Sequence, residues 1–284
     1  MTTSRREFLQ MFGASAAFAA AGCRCPFCGG KPRIAAQLYS IHKIFWTKPE
    51  WCLAGLKAAG YDGVEFAGYG DHTAKEIRKH LADAGMCGMG SHVNGFIDLK
   101  GDGLRKTLDF CAEAGLETVT TPHAICKTEA EYRQFGRDMS AAAEAAAAYG
   151  IKVGIHTTYK HFTVNFGGVS AWDAIFAEAS SLLQQQVDTG NVFHTGTDVT
   201  ALLRKYRGRH HSVHLKENVP TKTATLGEPT TNGAPNVPWR DVMVCLSEES
   251  IPWYVIETEM VPDSLVPLSD SLEFVERVRA EVVR

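Results

Sequence analysis

Four polar side chains, His156, Asp188, His214 and Glu257, each close a short apolar or β-prone run: KVGIH, LLQQQVD, SVHLK and WYVIE. Imidazole plus carboxylate is a nitrogen and oxygen donor set suited to one divalent ion such as Mn²⁺, Co²⁺, Ni²⁺ or Zn²⁺. The spacings of 32, 26 and 43 residues, filled by helix-like stretches, read as successive β-α units. In a parallel barrel the C-terminal strand ends converge on one face, where active sites are built, so the four side chains would aim at one point.

Each has a plainer reading beside that one. Asp188 opens DTGN, which is also good turn chemistry. Alternation aims His214 with Ser212 and Lys216 toward one face, where a buried histidine can be structural. Glu257 ends a run whose interior a carboxylate would not enter unpaired. His156 can hydrogen-bond a substrate as readily as hold a metal. His92 in GSHV and His123 in TPHA stand at the ends of the third and fourth strands, as pocket residues or as ordinary loop histidines. Lys216 and Lys160 are the cations available to steady a developing oxyanion, although Lys160 also reads as surface. Glu259, two residues beyond Glu257, is placed on the substrate side.

Positioning these residues takes eight alternating units. Strands are expected over residues 33–40, 62–66, 86–93, 117–122, 151–157, 183–188, 210–216 and 253–257. Helices are expected over 49–60, 73–85, 102–115, 128–150, 170–180, 198–206, 238–250 and 269–284, several opening on Pro, Thr or Ser and closing on Gly. Strict alternation favours a single (β/α)8 barrel of the TIM type, for which about 250 residues are usual. The alternative, an open doubly wound sheet, lacks a G-x-G-x-x-G after the first strand. Residues 217–235 form a loop rich in Pro, Thr and Gly, long enough to be functional or mobile.

With 284 residues, 45% hydrophobic and 21% charged, the chain has the composition of an ordinary soluble enzyme with one large core. Its net charge of −3 gives no reason to invoke nucleic acid. Residues 1–22 read as a twin-arginine export signal, Ser4-Arg5-Arg6-Glu7-Phe8-Leu9 followed by an Ala-rich run. That run is shorter than the ~20 residues a spanning helix needs. Ala20-Ala21-Gly22-Cys23 resembles a lipoprotein box, with Ala20 in place of a larger aliphatic residue, so Cys23 is a lipidation candidate. Residues 23–32 are a Cys- and Gly-rich linker before a barrel over 33–284, and Cys25 and Cys28 suggest a local disulfide in an oxidising compartment. The chain is therefore expected in the periplasm, touching membrane only through its signal or a lipid anchor. Cys52, Cys87, Cys111, Cys126 and Cys245 read as small buried hydrophobes.

Six stretches, AAQLYSI at 35–41, AAGYDGVEFAGYG at 58–70, YGIKVGIHT at 149–157, VDTGN at 187–191, HHSVHLKEN at 210–218 and WYVIETE at 253–259, carry a resemblance. From residue 33 onward the chain is similar to the sugar phosphate isomerase/epimerase group of the xylose isomerase-like TIM barrels. The resemblance implies a divalent metal on the carboxyl face and chemistry on a sugar or keto-sugar. It puts Asp188, His214 and Glu257 on the ligand positions of the sixth, seventh and eighth strands, and Glu65 on a position near the substrate, against which stands a barrel-interior ion pair. The chain departs at the fifth strand, where epimerases of the group commonly carry a glutamate that is both ligand and proton carrier, and this chain has His156.

Those implications point to a metal-dependent sugar isomerase or epimerase working through an enediolate on an exported, unphosphorylated substrate. Glu257 and Glu65 are the candidate carboxylate bases, and His92 or His156 the imidazole alternatives. Missing one carboxylate, the same site could instead serve a keto-sugar lyase or hydratase. A non-catalytic sugar-binding lipoprotein on the same barrel is the reading from another class. Nuclease chemistry, which occurs elsewhere in the superfamily, calls for a basic groove that this slightly acidic chain does not suggest.

Overall fold

Runs of four to six residues, each followed by a helix, wind into a closed barrel of eight parallel strands. The structure, a computed structural model, describes residues 31–122, 124, 126–218, 225–229, 233, 235–259 and 264–282. The strands are β1 Arg33–Gln37, β2 Gly63–Ala67, β3 Cys87–His92, β4 Thr118–Thr121, β5 Lys152–His156, β6 Gln184–Asp188, β7 His210–Leu215 and β8 Trp253–Ile256. Each pairs with its neighbours in sequence, and β1 closes onto β8 through Ala35–Val255 and Ala36–Ile256. The outer helices are α1 Pro49–Ala59, α2 Ala74–Ala84, α3 Gly101–Ala114, α4 Glu129–Ala147, α5 Ala171–Phe176, α6 Val199–Lys205, α7 Trp239–Glu249 and α8 Val266–Val282.

Local chemistry sets most helix ends. Thr73 with Glu76, and Thr128 with Glu131, form reciprocal capping boxes at the starts of α2 and α4. Gly60, Gly85 and Gly115 close α1, α2 and α3 in the left-handed conformation. Three of the boundaries that differ from the sequence-based expectation have a local cause. β1 stops at Gln37 because its side-chain oxygen accepts from the Tyr39 N–H at 3.1 Å and starts a 3₁₀ turn over Leu38–Ile41. α5 ends at Phe176. The Arg209 guanidinium donates to the Ala179 and Ser180 carbonyls, and Ser140 Oγ accepts from the Ser180 N–H at 2.9 Å, holding this segment outside a further helical turn. α8 begins at Val266, with Pro267 in its first turn, where a missing N–H costs nothing.

Two apolar regions flank the barrel wall. The larger lies between strands and helices, with Val64, Phe66, Val119, Ile155, Val187 and Val213 among its members. A smaller one, Ala35, Met89, Trp253 and Val255, plugs the N-terminal end of the interior. Trp253 is held there by Arg33 over its ring at 3.8 Å and by its indole N–H donating to Glu117 at 3.0 Å. Gly63 gives it room, since a Cβ there would lie 2.9 Å from the indole. Toward the C-terminal end the buried interior turns polar, with Gln37, Glu65, Gln186, Ser212 and His214.

Cys52, Cys111 and Cys245 are buried free thiols, as their surroundings in the sequence suggest, and Cys126 is free and half-buried. Cys87 corrects that reading: it is disulfide-bonded. The expected signal over 1–22, Cys23, the Cys25–Cys28 bridge and His123 lie outside the described residues. Among those described, no helix is long and apolar enough to cross a membrane.

Candidate metal centre

Strand register brings the four polar strand ends together. Asp188 and His214 are direct partners across β6 and β7, and His156 pairs with Gln186 across β5 and β6. His156, Asp188, His214 and Glu257 are all buried, and one ligand atom from each lies within 4.8 Å of the others. His92, at the end of β3, joins His156 and His214 in a second such group, its ring stacked on His214 with centroids 5.3 Å apart.

Asp188 divides its two oxygens between structure and site. Oδ1 accepts from the Asn191 N–H at 2.7 Å and caps the short helix Thr189–Phe193. Gly190 must be bare, because a Cβ there would meet the Glu217 carbonyl oxygen at 2.1 Å. Turn chemistry and site chemistry are thus both present in DTGN. Oδ2 is buried and has no hydrogen-bond partner among the described residues. It lies 3.5 Å from His156 Nε2 and 3.8 Å from the Lys216 ammonium. Burial pushes the Asp188 carboxyl up to about 6, against the opposing pull of Lys216.

His214 is clamped. Nδ1–H donates to Glu257 Oε2 at 2.7 Å and Nε2–H to Glu65 Oε2 at 2.6 Å. Burial alone would disfavour its charged form, but the two carboxylates win and raise it to about 10. The reverse holds for its partners. Burial would raise Glu65, yet His92 and His214 bring it down to about 2, and Lys216 with His214 likewise holds Glu257 well below the carboxylate range. Lys216, just past β7, sits 3.2 Å from Glu257 Oε1 and 2.8 Å from Glu259 Oε1. Those anions keep it charged in spite of its burial. His156 is the opposite case: burial, then the neighbouring His214 and His92, push it well below its ordinary range, so the ring is neutral.

Four carboxylates, Glu65, Asp188, Glu257 and Glu259, face two cations, His214 and Lys216. An excess of negative charge in a buried site, an Asp188 oxygen without a donor and a mixed imidazole–carboxylate set all fit a divalent cation. Glu65 behind His214 supplies the carboxylate–imidazole contact that orients a ligating histidine.

The sequence-derived site residues fall into three places. His156, Asp188, His214, Glu257 and Lys216 converge, with His92 and the partly exposed Glu259 beside them. Glu65 lies beneath His214, fully buried, and both its oxygens accept hydrogen bonds, from Gln186, Gln37 and His214. That is the barrel-interior ion pair weighed in the sequence beside a place near the substrate. Lys160 is exposed in the short helix Lys160–Thr163, outside the buried network, which matches its surface reading.

Sequence reasoning missed Gln186 and Glu217. Gln186 has a signal, since period two in QQQVD puts it on the same face as Asp188. Glu217 has none: its buried carboxylate accepts from the N–H groups of Asn218, Gly227 and Val237 and from the Trp239 indole at 2.8–3.0 Å, tying both ends of the long loop after β7.

Residues 53–278 match the family described as xylose isomerase-like TIM barrel. Among solved structures, a sugar phosphate isomerase/epimerase from Parabacteroides distasonis has a TM-score of 0.70 at 16% identity, covering 89% of this chain and 96% of that one. A D-allulose 3-epimerase from Methylomonas sp., in complex with D-allulose, has a TM-score of 0.63 at 14% identity, over 87% and 97%. The IOLI protein with a bound zinc atom has a TM-score of 0.62 at 12% identity, over 88% and 98%. At these identities the likeness is one of fold. No curated protein matches the sequence.

Proposed function

This chain belongs to the xylose isomerase-like TIM barrel family, and on that premise we propose that it is a divalent-metal-dependent isomerase or epimerase of a sugar or sugar derivative. His156, Asp188, His214 and Glu257 would hold the ion. The observation that carries the reading is the convergence of those four buried side chains, with Asp188 Oδ2 left without a donor among the described residues. A bound divalent ion supplies Lewis acidity toward a carbonyl and its neighbouring hydroxyl.

The chain's own groups supply the rest. Lys216, buried against Glu257 and Glu259 that keep it charged, steadies negative charge developing on a substrate oxygen. Glu259, partly exposed and hydrogen-bonded to Lys216, can take a substrate hydroxyl. Glu257, ionised and held by Lys216 and His214, would take an α-proton once one of those donors gives up its oxygen, and His92 is an imidazole alternative.

A second reading, a keto-sugar lyase or hydratase, is favoured by one specific observation. Glu257 and Glu259 both follow β8, Glu65 is saturated, and β5 ends in His156, so proton-transfer carboxylates reach a bound sugar from one side. The Arg5-Arg6 signal supports an exported enzyme and hence an unphosphorylated substrate. Arg5→Lys with Arg6→Lys should strand the protein in the cytoplasm, and normal export would remove that part of the reading.

Elemental analysis of the purified protein, followed by a proton-exchange screen in D₂O with keto-sugars, tests the activity. Bound divalent metal with exchange of an α-proton is expected. Bound metal with no turnover of any keto-sugar would favour a non-catalytic sugar-binding protein, and no metal would sink the site.

A further inference from the structure

We propose that Gln186 is a positioning residue that fixes the ring tautomer of His156, placing the proton on Nδ1 and leaving the Nε2 lone pair aimed at Asp188. Its relevance to metal binding rests on the function proposed above, but the tautomer itself follows from hydrogen bonds alone.

The argument starts at Glu65. This carboxylate is fully buried, and Gln37 and His214 already donate to its Oε2 at 2.7 and 2.6 Å, so Oε1 is the oxygen left to accept. The Gln186 amide atom 2.7 Å from Glu65 Oε1 must therefore be the NH₂ group, and its second hydrogen points to Ser212 Oγ at 2.8 Å. Turning the amide over would set two oxygens against each other in a site with no water-like dielectric to soften the repulsion. The orientation of Gln186 is thus dictated by a residue 121 positions earlier in the chain.

With the NH₂ committed, Oε1 of Gln186 faces two imidazoles, His156 Nδ1 at 2.9 Å and His92 Nε2 at 2.7 Å. An amide oxygen has no proton to give, so both rings must donate. A neutral imidazole has one N–H, and for His156 it is spent on Gln186. Its other nitrogen, Nε2, then carries a lone pair and lies 3.5 Å from Asp188 Oδ2, the oxygen that accepts no hydrogen bond. Two buried acceptors face each other with no hydrogen between them, an arrangement that calls for a cation. The same oxygen makes Nδ1 the basic nitrogen of His92.

Gln186 thereby does for His156 what Glu65 does for His214: each holds the far side of a ring whose near side faces the site. The fifth-strand histidine is workable as a ligand because a glutamine two residues before Asp188 points its oxygen at it.

The test is a two-bond ¹H–¹⁵N correlation spectrum of histidine-labelled, metal-free protein, which distinguishes Nδ1–H from Nε2–H rings. His156 is assigned through loss of its signal in His156→Gln. Wild-type protein should show His156 as the Nδ1–H tautomer, and an Nε2–H ring would overturn the inference whether or not metal binds. Gln186→Met, which keeps size but removes the acceptor, should mix the tautomers and weaken divalent-metal affinity, measured by calorimetry with Zn²⁺, by about 10–100-fold. A Gln186→Met protein with the wild-type tautomer and wild-type Zn²⁺ affinity would also overturn it. Wild-type protein that shows the Nδ1–H ring but binds no Zn²⁺ would uphold the tautomer and refute the metal-centre reading instead.

Discussion

The ammonium of Lys216 lies 3.2 Å from Glu257 Oε1, while Oε2 of the same carboxylate accepts from His214 at 2.7 Å. Glu257 is therefore held between two cations, and a divalent ion held by His214 would take the place of the His214 proton while Lys216 still competes for the carboxylate. That competition makes the roles of the individual charges separable by substitution.

Lys216→Met removes a positive charge from the proposed metal pocket. Divalent affinity should rise, because the ion no longer meets a neighbouring ammonium. Turnover should nevertheless fall by about 10²–10³-fold in kcat if the lysine steadies substrate oxyanion charge. Calorimetry and steady-state kinetics on the same preparation check this, and unchanged kcat would remove Lys216 from the chemistry.

Asp188→Asn keeps the cap on Asn191, since the amide oxygen can still accept, but removes the charge at the other oxygen. Metal affinity should drop by about 100-fold or more while the metal-free barrel stays folded. His214→Ala should behave differently. It strips the shared cation from buried Glu65 and Glu257 and should cost about 3–5 kcal/mol of stability as well as the metal. Urea denaturation of both metal-free variants decides. Equal stability would contradict the clamp.

His156→Glu restores a second carboxylate at the end of β5 and should raise epimerisation relative to elimination on one keto-sugar, followed by deuterium incorporation and product analysis. Efficient epimerisation by the unmodified protein, with deuterium entering from both faces, would show that another residue already supplies the second base.

His211, inside the barrel, predicts an acid sensitivity independent of the metal. Its Nε2 hydrogen-bonds Thr120 Oγ1 at 3.1 Å, and Gly154 is bare beside its ring, where a Cβ would sit 2.5 Å from Cε1. Burial lowers it from 6.5 to about 3, with Lys152 and His214 adding to that and Glu65 opposing it. Because the folded value is depressed, the unfolded chain binds the extra proton first as pH falls. Stability is full above about pH 6.5 and is lost between there and about pH 3, amounting to about 2 kcal/mol by about pH 5. His211→Gln should flatten that part of the stability–pH curve measured by denaturation. An unchanged slope would assign the loss to other groups.

The barrel itself was legible along the chain. Apolar runs closing at His156, Asp188 and Glu257, helices ending on Gly60, Gly85 and Gly115, and the alternation between them are local signals, set by side-chain period and by the few residues that tolerate a cap. The identity of the candidate ligands was legible for the same reason, since a strand end is a local feature and a parallel barrel aims all such ends one way.

What each polar side chain does there was decided only by closure of the barrel. Glu65 meets Gln186 across 121 residues and His214 across 149, and nothing local distinguishes a glutamate that faces substrate from one sealed beneath a histidine. Gln186 stood in plain view in QQQVD, yet its meaning depends on which atoms of β2, β3 and β5 lie opposite it. Periodicity along one strand says which face a residue is on. The depth of that residue in the barrel, its partners and the direction of its hydrogen bonds come from the register between strands, which follows from how the whole interior packs.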